Sequence, residues 1–79
     1  ALARDLAPDI RVNGVAPGAV LWPDEGISAE LEQTVLRQVP LRRPGEPADI
    51  AGCVLYLVRD AVYVTGQVIA VDGGRSAGW

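Results

Sequence analysis

Two short runs of β-branched and aliphatic residues constrain the fold of this chain more than any other feature. The first is IRVNGV, at about residues 10–15, and the second is QVIAV, at residues 67–71. Two helical patterns lie between them, so the order is strand, helix, helix, strand. Strands that are separated by helices favour a parallel pair joined by a right-handed crossover. The sequence therefore predicts an α/β fold.

Each of the two helices has its own start signal. Ser28 is placed to cap a helix that runs to about residue 39, where Pro40 stops it. Pro47 suits the first position of a second helix, at about residues 47–59, and Asp49 is expected to interact with the N-terminus of that helix. Its apolar residues follow the strongest helical spacing in the chain: Ile50, Cys53, Val54, Leu57 and Val58.

The first residues predict a helix that lacks its beginning. ALARDLA, residues 1–7, places Leu2 and Leu6 on one helical face with no capping residue ahead of them, and Pro8 ends the pattern. A helix this short is not stable by itself. Two parallel strands do not make a stable sheet either. We therefore expect this chain to be an incomplete segment of one domain, completed by an upstream part.

Composition excludes several classes of function. The 79 residues include one cysteine and no histidine, and all seven basic residues are Arg. A Cys/His zinc site is thus impossible, no metal site is expected, and no lysine is present for Schiff-base chemistry. The net charge of −3 disfavours nucleic-acid binding. No apolar run reaches the roughly 18 residues of a membrane span. The unpaired cysteine favours a reducing compartment, so a cytoplasmic protein is expected.

Three motifs follow one another along the chain. They are RVNGVAPG at 11–18, PGEPADIA at 44–51, and VTGQ at 64–67 followed by VDGG at 71–74. Each motif alone is weakly specific, but the set covers nearly the whole chain. Together they resemble the sixth strand, the following helix start and the last strand of short-chain dehydrogenases/reductases. The resemblance implies the C-terminal part of a doubly wound, Rossmann-type parallel sheet.

The same resemblance implies an activity whose catalytic groups lie elsewhere. Members of the family move a hydride between NAD(P)H and a carbonyl or imine, with a Tyr-x-x-x-Lys pair. Neither Tyr56 nor Tyr63 is followed by Lys, and the glycine-rich nucleotide fingerprint is absent. No catalytic residue is therefore assigned in this chain, and the segment alone is expected to be inactive. The expected cofactor of the intact protein is NADP, with NAD as the alternative.

The loop after the first strand carries the candidate binding residues. Ligands bind at the carboxyl ends of strands in open α/β sheets, and a glycine there lets the backbone approach a ligand closely. The resemblance implies that the nicotinamide carboxamide meets the backbone of Pro17, Gly18, Ala19 and Val20. Leu21 and Trp22 are the candidate substrate-binding residues, since an indole stacks on flat rings. An ordinary strand-exit turn, and packing on the following helix, are the alternatives.

A finer resemblance concerns the substrate. PGAVLWP at 17–23 and QVPL at 38–41 resemble the pteridine reductase subgroup. This resemblance implies reduction of a pteridine with NADPH, with residues 22–39 forming part of a substrate lid. Two alternatives stay open: a generic keto-reductase of the 3-ketoacyl type, and a non-catalytic interaction segment. The resemblance also implies a homotetramer that assembles through the last helix and strand.

Other polar residues are expected to serve structure. Asn13 is expected to bond to nearby backbone and Arg11 to pair with an acid. Asp72 is expected to set a turn in which the two glycines that follow adopt positive φ. Cys53 is expected to pack as a small apolar residue.

Overall fold

The order of helices and strands follows the prediction. The computed structural model describes residues 1–18 and 28–77. In these residues the elements are helix α1 (Leu2–Leu6), strand β1 (Gly14–Pro17), helix α2 (Ala29–Arg37), helix α3 (Pro47–Arg59) and strand β2 (Val68–Val71). The two strands pair in parallel, with Gly14 opposite Val68, and α3 packs against both. The predicted α/β class with a parallel sheet is confirmed.

Strand β1 begins later than the predicted residues 10–15, so that prediction was wrong at its start. The preceding residues are linked to the chain before β2 partly through side chains. The Val12 amide donates to Thr65 Oγ1 at 3.0 Å, and the Gly66 amide donates to the Val12 carbonyl at 2.8 Å. Regular strand pairing starts at Gly14 and continues to Pro17. Proline is tolerated there because it lies at the end of the strand.

The helix boundaries agree more closely with the sequence. Ser28 caps α2, accepting a hydrogen bond from the Leu31 amide at 3.2 Å. Helix α2 ends at Arg37, slightly before the predicted residue 39. Helix α3 covers the predicted residues 47–59, and Asp49 accepts a hydrogen bond from the Glu46 amide at 2.8 Å. The predicted interaction of Asp49 with its own helix N-terminus is confirmed.

The described residues enclose a small core. Its buried apolar residues are Val39, Leu57 and Ala61. The radius of gyration is 15.4 Å, whereas a compact chain of this length would have about 12 Å. Cys53 is half-buried on α3. No described helix has both the length and the apolar content needed to cross a bilayer.

Candidate functional site

The carboxyl ends of β1 and β2 lie side by side and form the candidate site. Pro17 lies opposite Val71, and the Gly18 amide donates to the Val71 carbonyl at 3.0 Å. This is the edge of an open α/β sheet at which ligands bind. The structure thus places two of the predicted binding residues, Pro17 and Gly18, at that edge. The other predicted site residues lie outside the described ranges: Ala19, Val20, Leu21 and Trp22.

Position 18 requires a glycine because its backbone lies against Asp72, the residue that follows β2. A Cβ atom built on Gly18 would lie 2.6 Å from Asp72 Cβ and 2.7 Å from Asp72 Cα. The sequence suggested that this glycine lets a ligand approach the backbone. The structure gives a different reason, because the close approach is made by Asp72. Any side chain at this position must push the two strand ends apart.

Asp72 holds the turn that follows β2. Its Oδ1 accepts a hydrogen bond from the Gly74 amide at 2.9 Å, and its Oδ2 accepts one from the Ser76 amide at 3.0 Å. Hydrogen bonding from the Ser76 side chain, and then from these backbone amides, lowers the pKa of Asp72 below its ordinary value. Gly73 and Gly74 have φ of +65° and +94°. The predicted turn is therefore confirmed, with an ionised carboxylate at its centre.

A cavity of about 190 Å³ opens beside this turn. Val39, Leu41 and Val71 provide apolar walls, and Arg43 and Asp49 lie among its polar lining residues. Arg43 Nη1 lies 3.1 Å from Asp49 Oδ2. The cavity is smaller than the roughly 300 Å³ at which ligand pockets begin, so it has room for part of a ligand only.

Two of the charged groups that line the cavity, Arg43 and Asp49, are bonded to each other. The Glu46 amide, and then the Arg43 guanidinium, lower the pKa of Asp49. The hydrogen bond from Arg43 to Asp49 in turn raises the pKa of Arg43. Both groups therefore remain charged at neutral pH. This ion pair partly satisfies the charges of Arg43 and Asp49, and the third charged lining residue, Asp72, is bonded to the amides of its own turn. The cavity therefore offers a ligand mainly its shape.

The contact of Arg11 with the C-terminal end of α3 was not predicted from the sequence. Its Nη1 donates to the carbonyls of Leu57 at 2.8 Å, Ala61 at 2.9 Å and Val64 at 3.3 Å, and its Nη2 donates to Val58 at 3.2 Å. Among the residues that the structure describes, no acid is paired with Arg11. Carbonyls at a helix C-terminus carry partial negative charge, and they attract a cation. The spacing between Arg11 and α3 in the sequence gives no signal of this contact.

Asn13 makes the predicted structural contacts with backbone. Its Nδ2 donates to the Val64 carbonyl at 2.9 Å, and its Oδ1 accepts from the Gln67 amide at 3.1 Å. The Gly14 amide then donates to the Gln67 carbonyl at 2.8 Å. These bonds align the start of β1 with β2. They consequently determine where Pro17 and Gly18 leave the sheet.

Comparisons with known proteins match almost all of this chain. A family model described as enoyl-(acyl carrier protein) reductase matches residues 1–76. The granaticin polyketide synthase putative ketoacyl reductase 2 of Streptomyces violaceoruber is 47% identical over 76 residues, which are 92% of this chain and 30% of that protein. The chain thus spans about a third of the length of such a relative.

Solved structures are similar at the same level. A hydroxysteroid dehydrogenase from Escherichia coli matches with a TM-score of 0.86 at 45% identity, over 92% of this chain and 32% of that one. A short-chain dehydrogenase from Leptospira borgpetersenii with bound NAD+ matches with a TM-score of 0.84 at 39% identity, over 94% and 29%. With the family match over residues 1–76, these likenesses show that the chain belongs to the short-chain dehydrogenase/reductase family.

Proposed function

We propose that this chain forms the C-terminal part of an NAD(P)-dependent oxidoreductase that reduces a carbonyl group. The observation that carries the proposal is the strand exit at Gly18. Its amide is bonded to Val71 and its Cα lies against Asp72 with no space for a side chain. The backbone therefore leaves the sheet along a fixed path at the ligand-binding edge.

This strand exit fits the flat amide end of a nicotinamide. The carboxyl end of a parallel strand presents backbone peptide groups at the edge where ligands bind, and these groups can hydrogen-bond to a planar amide. We assign the carboxamide contact to the backbone of Pro17, Gly18, Ala19 and Val20, and the substrate contact to Leu21 and Trp22. When bound, the nicotinamide supplies the hydride. The residues of this chain bind and orient it.

Proton donation is assigned to residues outside this chain. The sequence has no lysine, and Tyr56 and Tyr63 lie on or just after α3 rather than at the strand exits. Tyr63 is fully exposed. We therefore expect that the chain alone does not catalyse the oxidation of a cofactor.

The substrate class that we propose first is a ketone. Two of the similar proteins are named as a ketoacyl reductase and a hydroxysteroid dehydrogenase. A pteridine is the second candidate, favoured by the PGAVLWP segment at 17–23 and the indole of Trp22. We propose NADP as the cofactor, with NAD as the alternative, which the bound NAD+ of one similar structure favours.

We propose that the remaining part of the domain packs into the groove beside β1. It has a volume of about 900 Å³ and lies between residues 8–15 and one side of α3. Val54, Val58 and Val62 line it, with exposed fractions of 45%, 68% and 73%. Apolar surface of this extent favours a covering partner. A further strand beside β1 would also give the sheet the third strand that independent stability requires.

The end of α3, the residues after it and β2 carry a further exposed apolar surface. Tyr56 and Val68 are 52% and 73% exposed, and Tyr63 is fully exposed. We propose that this surface joins subunits of a homotetramer in the cytoplasm. Light scattering of the full-length protein tests the assembly, since a monomer at working concentration would contradict it.

A reductase assay of the full-length protein tests the proposed function. We expect NADPH or NADH oxidation with a 3-ketoacyl thioester, a ketosteroid or dihydrobiopterin, and the preferred substrate distinguishes the two candidates. Gly18→Ala should lower kcat/KM by about a hundredfold, because displacing a binding loop by about 1 Å has effects of that size.

The matched control is Gly14→Ala on the same strand. A Cβ there would meet the Val68 side chain at 3.4 Å, which is close to ordinary contact. We expect this variant to keep activity within about threefold of the unmodified protein. A folded protein that oxidises neither cofactor with any of these substrates would contradict the proposal.

A further inference from the structure

The turn after β2 touches both sides of the candidate site. On one side, the backbone of Gly18 packs against Asp72. On the other, the Leu41 amide donates to the Gly73 carbonyl at 3.0 Å, just beyond the end of α2. Arg75 Nη2 also donates to Gln38 Oε1 at 3.0 Å. One turn therefore supports both Gly18, at the exit of β1, and the residues that follow α2.

Space around this turn is filled so closely that its glycines cannot be replaced without movement. A Cβ on Gly73 would lie 2.6 Å from Val39 Cγ1, and Val39 is 2% exposed. A Cβ on Gly74 would lie 3.0 Å from Pro40 Cγ. Because Val39 is buried, it cannot turn its side chain into solvent to relieve the overlap. The residues that follow α2 would have to move away from the turn.

We propose that the turn formed by Asp72, Gly73 and Gly74 is a positioning element for the substrate. It holds the residues after α2 at a fixed separation from Gly18, and so sets the width of the site on its substrate side. This inference rests on the proposed function, in which Gly18 meets the cofactor. The cavity supports it, because Val39, Leu41 and Gly73 line one space at the same sheet edge.

The turn acts through contact rather than through chemistry at a substrate. Both carboxylate oxygens of Asp72 bind amides of the turn itself, at 2.9 and 3.0 Å. Gly73 offers its carbonyl to Leu41. A shift of the turn is consequently transmitted to the segment after α2, and it changes the fit of a substrate more than the rate of hydride transfer.

Gly73→Ala in the full-length protein tests this inference, with Gly66→Ala as the matched control. Both glycines have positive φ, at 65° and 76°. A Cβ on Gly66, however, would meet only Ala3 Cβ at 3.5 Å, an ordinary contact. The pair therefore shares the backbone strain and differs in the displacement of Val39.

We expect Gly73→Ala to raise the KM for the carbonyl substrate about tenfold, with kcat and the cofactor KM within about threefold. The Leu41 amide should also exchange its hydrogen faster, since its bond to Gly73 is weakened. Gly66→Ala should leave both KM values and the Leu41 exchange unchanged. Adding Val39→Ala to Gly73→Ala removes the overlapping methyl group and should restore most of the substrate KM.

Equal effects of the two glycine variants, on KM and on Leu41 exchange, would overturn the proposal. If Gly73→Ala does not fold, Asp72→Asn takes its place: it keeps an oxygen for the Gly74 amide and loses the acceptor for Ser76. It should raise substrate KM and speed Leu41 exchange, and unchanged values would again overturn the proposal. Failure of the proposed function is distinguishable, since the unmutated protein would lack turnover while the exchange measurement still decides the role of the turn.

Discussion

Both carboxylate oxygens of Asp72 bind backbone amides within the turn that it begins. The carboxylate therefore works as a scaffold for the chain between β2 and the C-terminal residues. Its neighbour across the sheet edge, Gly18, depends on it, since the two backbones touch where a Cβ would not fit. At the residue scale, the candidate site depends on the carboxylate of Asp72 and on the glycines that pack closely around its turn.

The pKa of Asp72 leads to a prediction about stability at low pH. Its folded-state pKa is lowered by hydrogen bonds from Ser76 and Gly74, relative to about 3.9 in an unfolded chain. A lowered pKa stabilises the folded state above the unfolded value, and this contribution is lost as pH falls through the folded value. We expect the free energy of unfolding of the full-length protein to fall below about pH 4.

Asp72→Asn should weaken that dependence, because an amide does not titrate. Urea denaturation between about pH 2 and pH 6 measures both proteins. Asp49 has a lowered pKa as well and contributes in the same direction, so the dependence should be reduced rather than abolished. An identical slope in the variant would contradict the role given to Asp72.

At the scale of elements, Arg11 joins the start of β1 to the end of α3. One guanidinium reaches four backbone carbonyls, which a lysine ammonium with its single nitrogen could not match in geometry. The start of β1, the end of α3 and the residues that follow α3 are thereby held as one unit. The position of Gly18 depends on this unit, since β1 leads directly to it.

We predict that Arg11→Met lowers the free energy of unfolding of the full-length protein by about 1.5–3 kcal/mol, the usual contribution of hydrogen bonds to a charged group. Arg11→Lys should recover part of the loss. Arg59→Met is the control, because its partner Asp60 is an exposed neighbour and such pairs contribute less than about 1 kcal/mol. Equal urea midpoints for the Arg11 and Arg59 variants would contradict this assignment.

How well the sequence predicts each element follows from where its bonds are made. Helix α3 was predicted at its observed bounds because proline, the capping carboxylate and the apolar spacing are all local. Strand β1 was misplaced because Val12 and Asn13 are bonded to Thr65 and Gln67, far away in sequence. Gly18 was selected as a candidate site residue from the strand-exit motif. Its steric reason was not predicted, since the Gly18 contact with Asp72 exists only in three dimensions.

For the whole molecule, stability depends on how much apolar surface is buried in the core and how much stays exposed. The described residues bury Val39, Leu57 and Ala61, and leave many large apolar side chains exposed on α3 and β2. A radius of gyration of 15.4 Å fits a layer of elements rather than a closed core. The chain also spans about a third of the length of its relatives, 30% in one case. These facts support the proposal that the chain is stable as part of a larger domain.

The most direct test of this account compares the 79-residue chain with the full-length protein in urea, followed by circular dichroism. We predict that the chain alone shows no cooperative unfolding transition and oxidises no NADPH with a ketone. The full-length protein should unfold cooperatively and turn over. Cooperative unfolding of the isolated chain in dilute solution, or turnover by it, would contradict the claim that its fold and its chemistry depend on the rest of the domain.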